Sequence, residues 1–153
     1  MTLFEIRRAC LADEEAFVQQ RIAIFREAHG LEPGPREDDL RIGNRATFVE
    51  LLPRATILLA FASDRAIGSA AMHEFDRFPS LENPCAREGY VSHVYVDGAW
   101  RRRGVGTALV EGLVAEGRMR GLRRIRLHAT ESGRLLYEHV GFRLRTNDMD
   151  IRL

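Results

Sequence analysis

The chain has 153 residues, of which 45% are hydrophobic and 29% charged, and its formal net charge is +1. This length favours one domain, residues 1–153, with a core of its own, and the small net charge argues against a protein that mainly coats nucleic acid. Two cysteines are too few for a disulfide scaffold and form no CxxC metal pair, so a reducing, cytoplasmic environment is expected.

Hydrophobic periodicity divides the first half of the chain into a strand, two helices and a hairpin. Alternation predicts a half-buried strand over residues 3–9, and helical spacing of apolar residues predicts a helix over residues 11–29. A loop with two prolines and acidic residues, 31–39, leads into a second helix over about residues 38–52. Two apolar runs flank Ser63, Asp64 and Arg65, which predicts a β-hairpin.

The second half alternates strands and helices. A long polar loop over residues 76–89 precedes a β-branched and aromatic strand over residues 90–97. A helix follows the glycines after that strand and ends at Gly121. The pattern then predicts a strand at 123–130, a short helix closed by Gly141, and one or two strands after it. The order β-α-α-β-β-β-α-β-α-β indicates an α/β fold, and no segment approaches the ~20 apolar residues that cross a bilayer.

The segment RRRGVGTALV, residues 101–110, joins a predicted strand to a predicted helix. A helix N-terminus exposes unpaired amides with about half a positive charge, and Gly104 and Gly106 would let those amides approach a phosphate. We therefore expect an anionic ligand, most simply a pyrophosphate. A Walker A loop is excluded because the chain has no lysine, and Leu109 occupies the third glycine position of a dinucleotide-binding GxGxxG.

These residues resemble motif A of the GNAT superfamily of N-acetyltransferases, Q/R-x-x-G-x-G/A, with Arg101 at the Q/R position. LYEHVGF, residues 136–142, is similar to the L-Y-x-x-x-G-F ending of the family's motif B. VYVDGAW before the glycines also fits, although Gly98 stands where a proline is frequent. The resemblance implies the GNAT fold, a mixed, mostly antiparallel sheet flanked by helices, with central strands that splay apart.

The resemblance also implies acetyl-CoA as co-substrate. Its pantetheine would pair with free backbone groups of a bulged strand, and its pyrophosphate would face the amides of the glycine turn. The residues implied to bind it are Val94, Tyr95, Val96, Arg101, Arg102, Arg103, Gly104, Val105, Gly106, Thr107 and Thr130. Thr130 stands where the family often carries Asn, and its hydroxyl can still form a hydrogen bond.

Tyr137 stands at the family's usual general-acid position, where a phenol can protonate or stabilise the leaving thiolate. The other interpretation is a half-buried packing aromatic. The base stays open. His93 has a suitable unperturbed pKa but could face a helix instead, and one of His73 and Glu74, or Glu50, could take its place. A chain of water molecules would need no single base.

The expected function is transfer of an acetyl group from acetyl-CoA to a primary amine, by direct attack in a ternary complex. A small-molecule amine is the first expectation and a protein amine the second, and the loops at 31–39 and 76–89 should shape the acceptor site. The alternative is a non-catalytic acyl-CoA-binding sensor. No metal is expected because the histidines lack partners at metal-ligand spacing, no nucleic acid or membrane partner is expected, and a homodimer is left open.

Overall fold

The structure is a computed structural model that describes residues 3–145 and 147–153. In that part of the chain the elements are β1 (Glu5–Arg8), α1 (Glu14–His29), α2 (Pro35–Leu51), β2 (Ala55–Ala62), β3 (Arg65–Asp76), β4 (Arg87–Val96), α3 (Val105–Met119), β5 (Ile125–Leu127) and α4 (Arg134–Val140). Short 3₁₀ turns at Leu11–Asp13 and Gly98–Trp100 precede α1 and α3.

The five strands form one sheet in the order β1-β2-β3-β4-β5. The pairs β1–β2, β2–β3 and β3–β4 are antiparallel, and the pair β4–β5 is parallel. Short turns can join the antiparallel strands, whereas the parallel pair needs a crossover, which α3 supplies. The mixed, mostly antiparallel sheet with helices on its faces confirms the predicted α/β class.

The two faces of the sheet have separate cores, because successive side chains of a strand point to opposite faces. On one face Leu58 and Ala60 of β2 belong to a cluster with Leu109 and Leu113 of α3. On the other face Ile57 and Leu59 pack with Phe17 of α1 and Phe48 of α2. The first is the α3 face of the sheet and the second is its α1–α2 face.

Element boundaries differ from the prediction where tertiary pairing or a proline decides them. Helix α2 begins at Pro35 because proline's fixed φ suits the first helical position. Strand β4 begins at Arg87, which pairs with Asp76, so the preceding loop shortens to residues 77–86.

The predicted strands after α4 are wrong for the described residues 142–145 and 147–153, none of which is in a strand. Met149 and Ile151 are exposed there, so neither buries a side chain that would fix a register.

Candidate functional site

A left-handed turn leads into α3. Arg102 and Gly104 have φ angles of 62° and 83°, and Gly104 is the N-cap residue. The amide of Ala108 donates to the Gly104 carbonyl at 3.0 Å, so the amides of Val105, Gly106 and Thr107 lie ahead of the first helical hydrogen bond. The turn therefore presents unpaired amides with the positive end of a helix dipole behind them, which suits an anion.

Gly104 and Gly106 differ in the space around them. Gly104 has a positive φ, and a Cβ added to it would meet no atom within 4 Å, so its amide turn faces open space. A Cβ on Gly106 would lie 2.7 Å from Leu136 Cδ1 and 3.5 Å from Val96 Cγ2. Gly106 therefore lets α4 pack against the start of α3 at the end of β4, a reason that local sequence did not reveal.

Strand β4 parts from β5 beyond a bulge. Pairing with β3 shifts register between Ala71, which pairs with His93, and Met72, which pairs with Val91. Pairing with β5 ends at Val91 and Leu127. Residues 94–96 pair with β3 only, in the described part of the chain, so no strand covers their β5 side, where an extended ligand could bind. The Val96 carbonyl on that side accepts a hydrogen bond from the Arg101 side chain. This opening leads toward the turn before α3.

The side chain of Arg101 is engaged with α1. It forms an ion pair with Glu27, and its Nε donates to the Val96 carbonyl at 3.0 Å. The Tyr95 hydroxyl also donates to Glu27, at 3.0 Å. Burial, followed by the hydrogen bond to Glu27, raises the pKa of Tyr95 to about 12, so this phenol stays protonated near neutral pH.

Arg102 and Arg103 are exposed, and the Arg103 guanidinium lies 5.3 Å from the centre of the Trp100 ring. Both side chains flank the amide turn from solvent. Water and salt screen exposed charges, so these two arginines can add only weakly to the attraction of an anion to the turn.

Tyr137 is half-buried in α4 and lines a cavity of about 320 Å³ together with Leu127, His128 and Phe142. Its ring centre lies 6.0 Å from that of Phe142. Burial raises the pKa of Tyr137, so its phenol holds its proton at neutral pH. A group that is to donate a proton needs that state.

Thr130 begins α4. Its Oγ1 accepts a hydrogen bond from the Gly133 amide at 3.3 Å, and its carbonyl accepts from the amides of Gly133 and Arg134, both at 3.1 Å. The hydroxyl also lies 3.2 Å from Ser132 Oγ. In this structure Thr130 therefore stabilises the first turn of the helix that carries Tyr137.

His93 faces α1 and is only 4% exposed. Arg21 Nη1 lies 3.4 Å from His93 Nδ1, and Ser69 Oγ lies 2.7 Å from Nε2. A guanidinium can only donate, so Nδ1 accepts and Nε2 carries the proton toward Ser69. Burial and the Arg21 charge lower the pKa of His93 to about 3. So low a pKa favours a structural role for His93 over a role as the catalytic base.

The sequence model of the acetyltransferase (GNAT) family matches residues 15–142. The chain belongs to the GNAT acetyltransferase family. The matched residues include the turn before α3, the open edge of β4 and Tyr137. The family predicted from motifs A and B is confirmed.

Solved structures support the same GNAT fold. A predicted acetyltransferase from Clostridium acetobutylicum, solved with acetyl-CoA, has a TM-score of 0.86 and 24% identity over 97% of this chain and 96% of that chain. A GCN5-related N-acetyltransferase from Ralstonia eutropha JMP134 has a TM-score of 0.85 and 27% identity over 98% of both chains. Glucosamine-6-phosphate N-acetyltransferase from Arabidopsis thaliana has a TM-score of 0.73 and 18% identity over 99% of both chains. No curated protein matches the sequence.

The other candidate bases of this GNAT chain are held in different places. Glu74 forms ion pairs with Arg87 and Arg120, and exposed Glu50 forms one with Arg54. The ring of His73 lies 5.9 Å from that of Tyr90 on β4. The structure therefore does not bring these three groups together with His93, and the identity of a base stays a prediction.

The residues that the structure describes contain no group of three or more His, Cys, Asp or Glu side chains placed to hold a metal ion. None of their helices has the length and apolar character needed to cross a membrane.

The sequence analysis missed Glu27 and Arg21, the α1 residues that contact Arg101 and His93. Glu27 lies 74 residues from Arg101 along the chain, and Arg21 lies 72 residues from His93. No local pattern predicts a pairing at that separation. In the sequence, both look like the charged residues of any solvated helix face, so no signal marked them as site residues.

Proposed function

We propose that this acetyltransferase moves the acetyl group of acetyl-CoA to a primary amine, by direct attack within a ternary complex. The observation that carries the proposal is the open backbone edge of residues 94–96, which leads into the amide turn before α3. An extended chain with amides that ends in a pyrophosphate matches these two features in order.

The residues present fit acetyl-CoA. Val94, Tyr95 and Val96 would hold the pantetheine through backbone groups, and the amides of residues 102–107 would hold the pyrophosphate. The open space at Gly104 leaves room for phosphate oxygens at the turn. When bound, acetyl-CoA supplies the thioester that an amine can attack. The similar Clostridium acetobutylicum protein was solved with acetyl-CoA, which supports this assignment.

In the proposed reaction Tyr137 holds a proton on its phenol oxygen for the departing thiolate. The raised pKa keeps that proton in place at neutral pH. A thiol has a pKa of about 8.5, so a thiolate can also leave unaided. Tyr137 therefore accelerates the reaction without being an absolute requirement.

The acceptor is proposed to be a small-molecule amine before a protein amine. We still predict that the protein is cytoplasmic and binds neither a metal nor nucleic acid, and a homodimer stays open.

The function is tested with acetyl-CoA and a panel of primary amines that includes amino acids, amino sugars, polyamines and short peptides. Release of CoA is followed optically, and the acetylated product is identified by mass spectrometry. We expect amine-dependent CoA release with a product one acetyl group heavier. Tight acetyl-CoA binding without release on any amine would replace the enzyme by the acyl-CoA-binding sensor.

A further inference from the structure

Arg21 differs from the other arginines that lack an ion pair. In the described part of the chain, the arginines without a carboxylate partner are otherwise exposed, whereas Arg21 is partly buried. The exposed group comprises Arg36, Arg102, Arg103, Arg118, Arg123, Arg143, Arg145 and Arg152. Partial burial of a charge costs free energy that a carboxylate would normally offset.

Neutral groups fix the Arg21 side chain. Its Nε donates to Asn44 Oδ1 at 3.1 Å, and Asn44 Nδ2 donates to the Leu40 carbonyl at 2.7 Å, which orients the amide. Nη1 contacts His93 Nδ1, and the guanidinium carbon lies 5.1 Å from the centre of the Phe25 ring. None of these partners is an anion, so the positive charge remains uncompensated.

One end of the guanidinium is free to bind. In the residues described, Nη2 forms no hydrogen bond, and it is not among the unpaired atoms sealed from solvent. Burial lowers the pKa of Arg21 without any compensating carboxylate. The group nevertheless stays charged, because an arginine is not deprotonated in proteins. A rigid, charged donor with a free amino group suits an oxygen anion.

The position of Arg21 matches the acceptor side of the proposed reaction. Arg21 contacts His93, which immediately precedes the open edge at Val94, on the sheet face opposite α3. Phe25, against which the guanidinium packs, lines a cavity of about 560 Å³ between the end of α1 and the start of α2. The loop predicted to shape the acceptor site, residues 31–39, forms part of this cavity.

The buried acidic residues at these two loops are neutralised by arginines, whereas the other acidic residues there are exposed to solvent. Glu37 is bonded to Arg26 and Arg41, at 2.7 Å and 3.1 Å. Glu88, near the start of β4 after the second loop, forms ion pairs with Arg77 and Arg124 at 3.2 Å and 3.5 Å. Among the charged groups near the acceptor side that are partly or fully withdrawn from solvent, Arg21 is therefore the one without an ion-pair partner in the described part of the chain.

We propose that the acceptor amine also carries an anionic oxygen group, a carboxylate or a phosphate, and that Arg21 binds it. This inference rests on the proposed acetyl transfer and specifies its substrate class. The anion would pair with the Nη2 end of Arg21, while Asn44 and His93 hold the guanidinium in place. Arg21 then determines which amines are accepted, and the turn before α3 determines which donor binds.

A kinetic test compares matched amines. Amino acids are paired with their carboxamides, and O-phosphoethanolamine is paired with ethanolamine, on wild type, Arg21→Met and Arg21→Lys. We expect the wild type to favour the anionic member in at least one series, which also tells a carboxylate from a phosphate. Arg21→Met should lower kcat/KM for that member by about ten- to a hundredfold and leave its neutral analogue unchanged. Arg21→Lys should recover part of the loss.

Arg118→Met is the matched control, because Arg118 is an exposed helix arginine without an ion pair in the described structure. It should leave every amine's kcat/KM unchanged. A wild-type preference for neutral or cationic amines, or an equal preference in wild type and Arg21→Met, would overturn the inference while leaving acetyl transfer intact.

A binding test does not depend on catalysis. The Nε–H signal of Arg21 in a ¹⁵N NMR spectrum of the whole protein is assigned by its loss in Arg21→Lys. Titration with acetate or inorganic phosphate should shift it saturably, while the Arg118 signal shows no saturation. A saturable shift combined with no CoA release on any amine would retain the anion site and reject acetyl transfer. Absence of a saturable shift with both anions would reject the anion site.

Discussion

The two faces of the sheet build their ligand contacts in different ways. On the α3 face an apolar core of Leu109, Leu113 and Met72 supports a turn whose backbone amides are unpaired. On the α1–α2 face the apolar core gives way to charged and polar side chains, including Arg21 and Glu27. A backbone site depends on φ angles and open space, whereas a side-chain site depends on residue identity. The donor should therefore be bound by conformation and the acceptor selected by chemistry.

The largest effect is expected at Tyr137, where the two sites should meet. Tyr137→Phe keeps the ring against Phe142 and removes only the hydroxyl, so acetyl-CoA affinity should be nearly unchanged. Turnover should fall by roughly one to three orders of magnitude, the lower end allowing for water as a substitute acid. The measurements are kcat on any accepted amine and the Kd of acetyl-CoA. Unchanged turnover with chemistry rate-limiting would make Tyr137 a packing residue.

Substitution of His93 tests whether this residue of the α1–α2 face has a structural role or acts as the catalytic base. The native pKa near 3 lies below the unfolded value of about 6.5. The unfolded chain therefore binds a proton that the native protein excludes, and stability falls with the pH below about 6.5. Between pH 7.5 and 5 His93 should cost about 2 kcal/mol of unfolding free energy. Denaturant unfolding of wild type and His93→Gln at both pH values should show that increment only in the wild type.

The pH dependence of turnover gives the second half of that test. If kcat/KM of the wild type rises or falls with pH near neutrality, we expect the same pH dependence in His93→Gln, because a group with a pKa near 3 does not titrate there. Loss of that pH dependence in His93→Gln, together with a turnover lowered by about a hundredfold or more, would establish His93 as the base.

Substitution of Glu27 should have the smallest effect of these variants, because Glu27 connects the two sites only through a half-exposed ion pair with Arg101. In the structure its carboxylate neutralises Arg101 beside the turn. Glu27→Gln should tighten acetyl-CoA by about two- to fivefold at low salt, a range set by the small energies of exposed pairs. Calorimetric titration measures the change, and the gain should shrink as salt rises.

The matched control for Glu27 is Glu82→Gln, which removes the same charge from an exposed loop residue without an ion pair in the described part of the chain. An equal gain in both variants would assign the effect to net charge and exclude a specific link between Glu27 and Arg101.

The sequence predicted the α3 face well because its signals are local. Gly104, the preceding strand and the following helix occupy one continuous segment, and their order alone indicates an amide turn. The α1–α2 face was predicted only as a helical pair, since the contacts of Arg21 with His93 and of Glu27 with Arg101 join residues more than seventy positions apart.

The end of the chain shows a second limit of local pattern. One or two strands were predicted after Gly141, but in the described residues Leu144, Met149 and Ile151 remain exposed and no strand forms. A strand requires a partner edge and a buried face, and the local sequence by itself supplies neither.

The most direct test of the account measures acetyl-CoA binding when the turn before α3 is altered. Gly104→Val places a branched Cβ at a φ of 83° and in the open space proposed for phosphate, whereas Gly98→Val adds the same side chain where φ is ordinary and no atom lies within 4 Å. Acetyl-CoA should raise the Tm of wild type and Gly98→Val, because a ligand that binds the folded state stabilises it. The account predicts that folded Gly104→Val loses this shift, and an equal shift in all three proteins would contradict it.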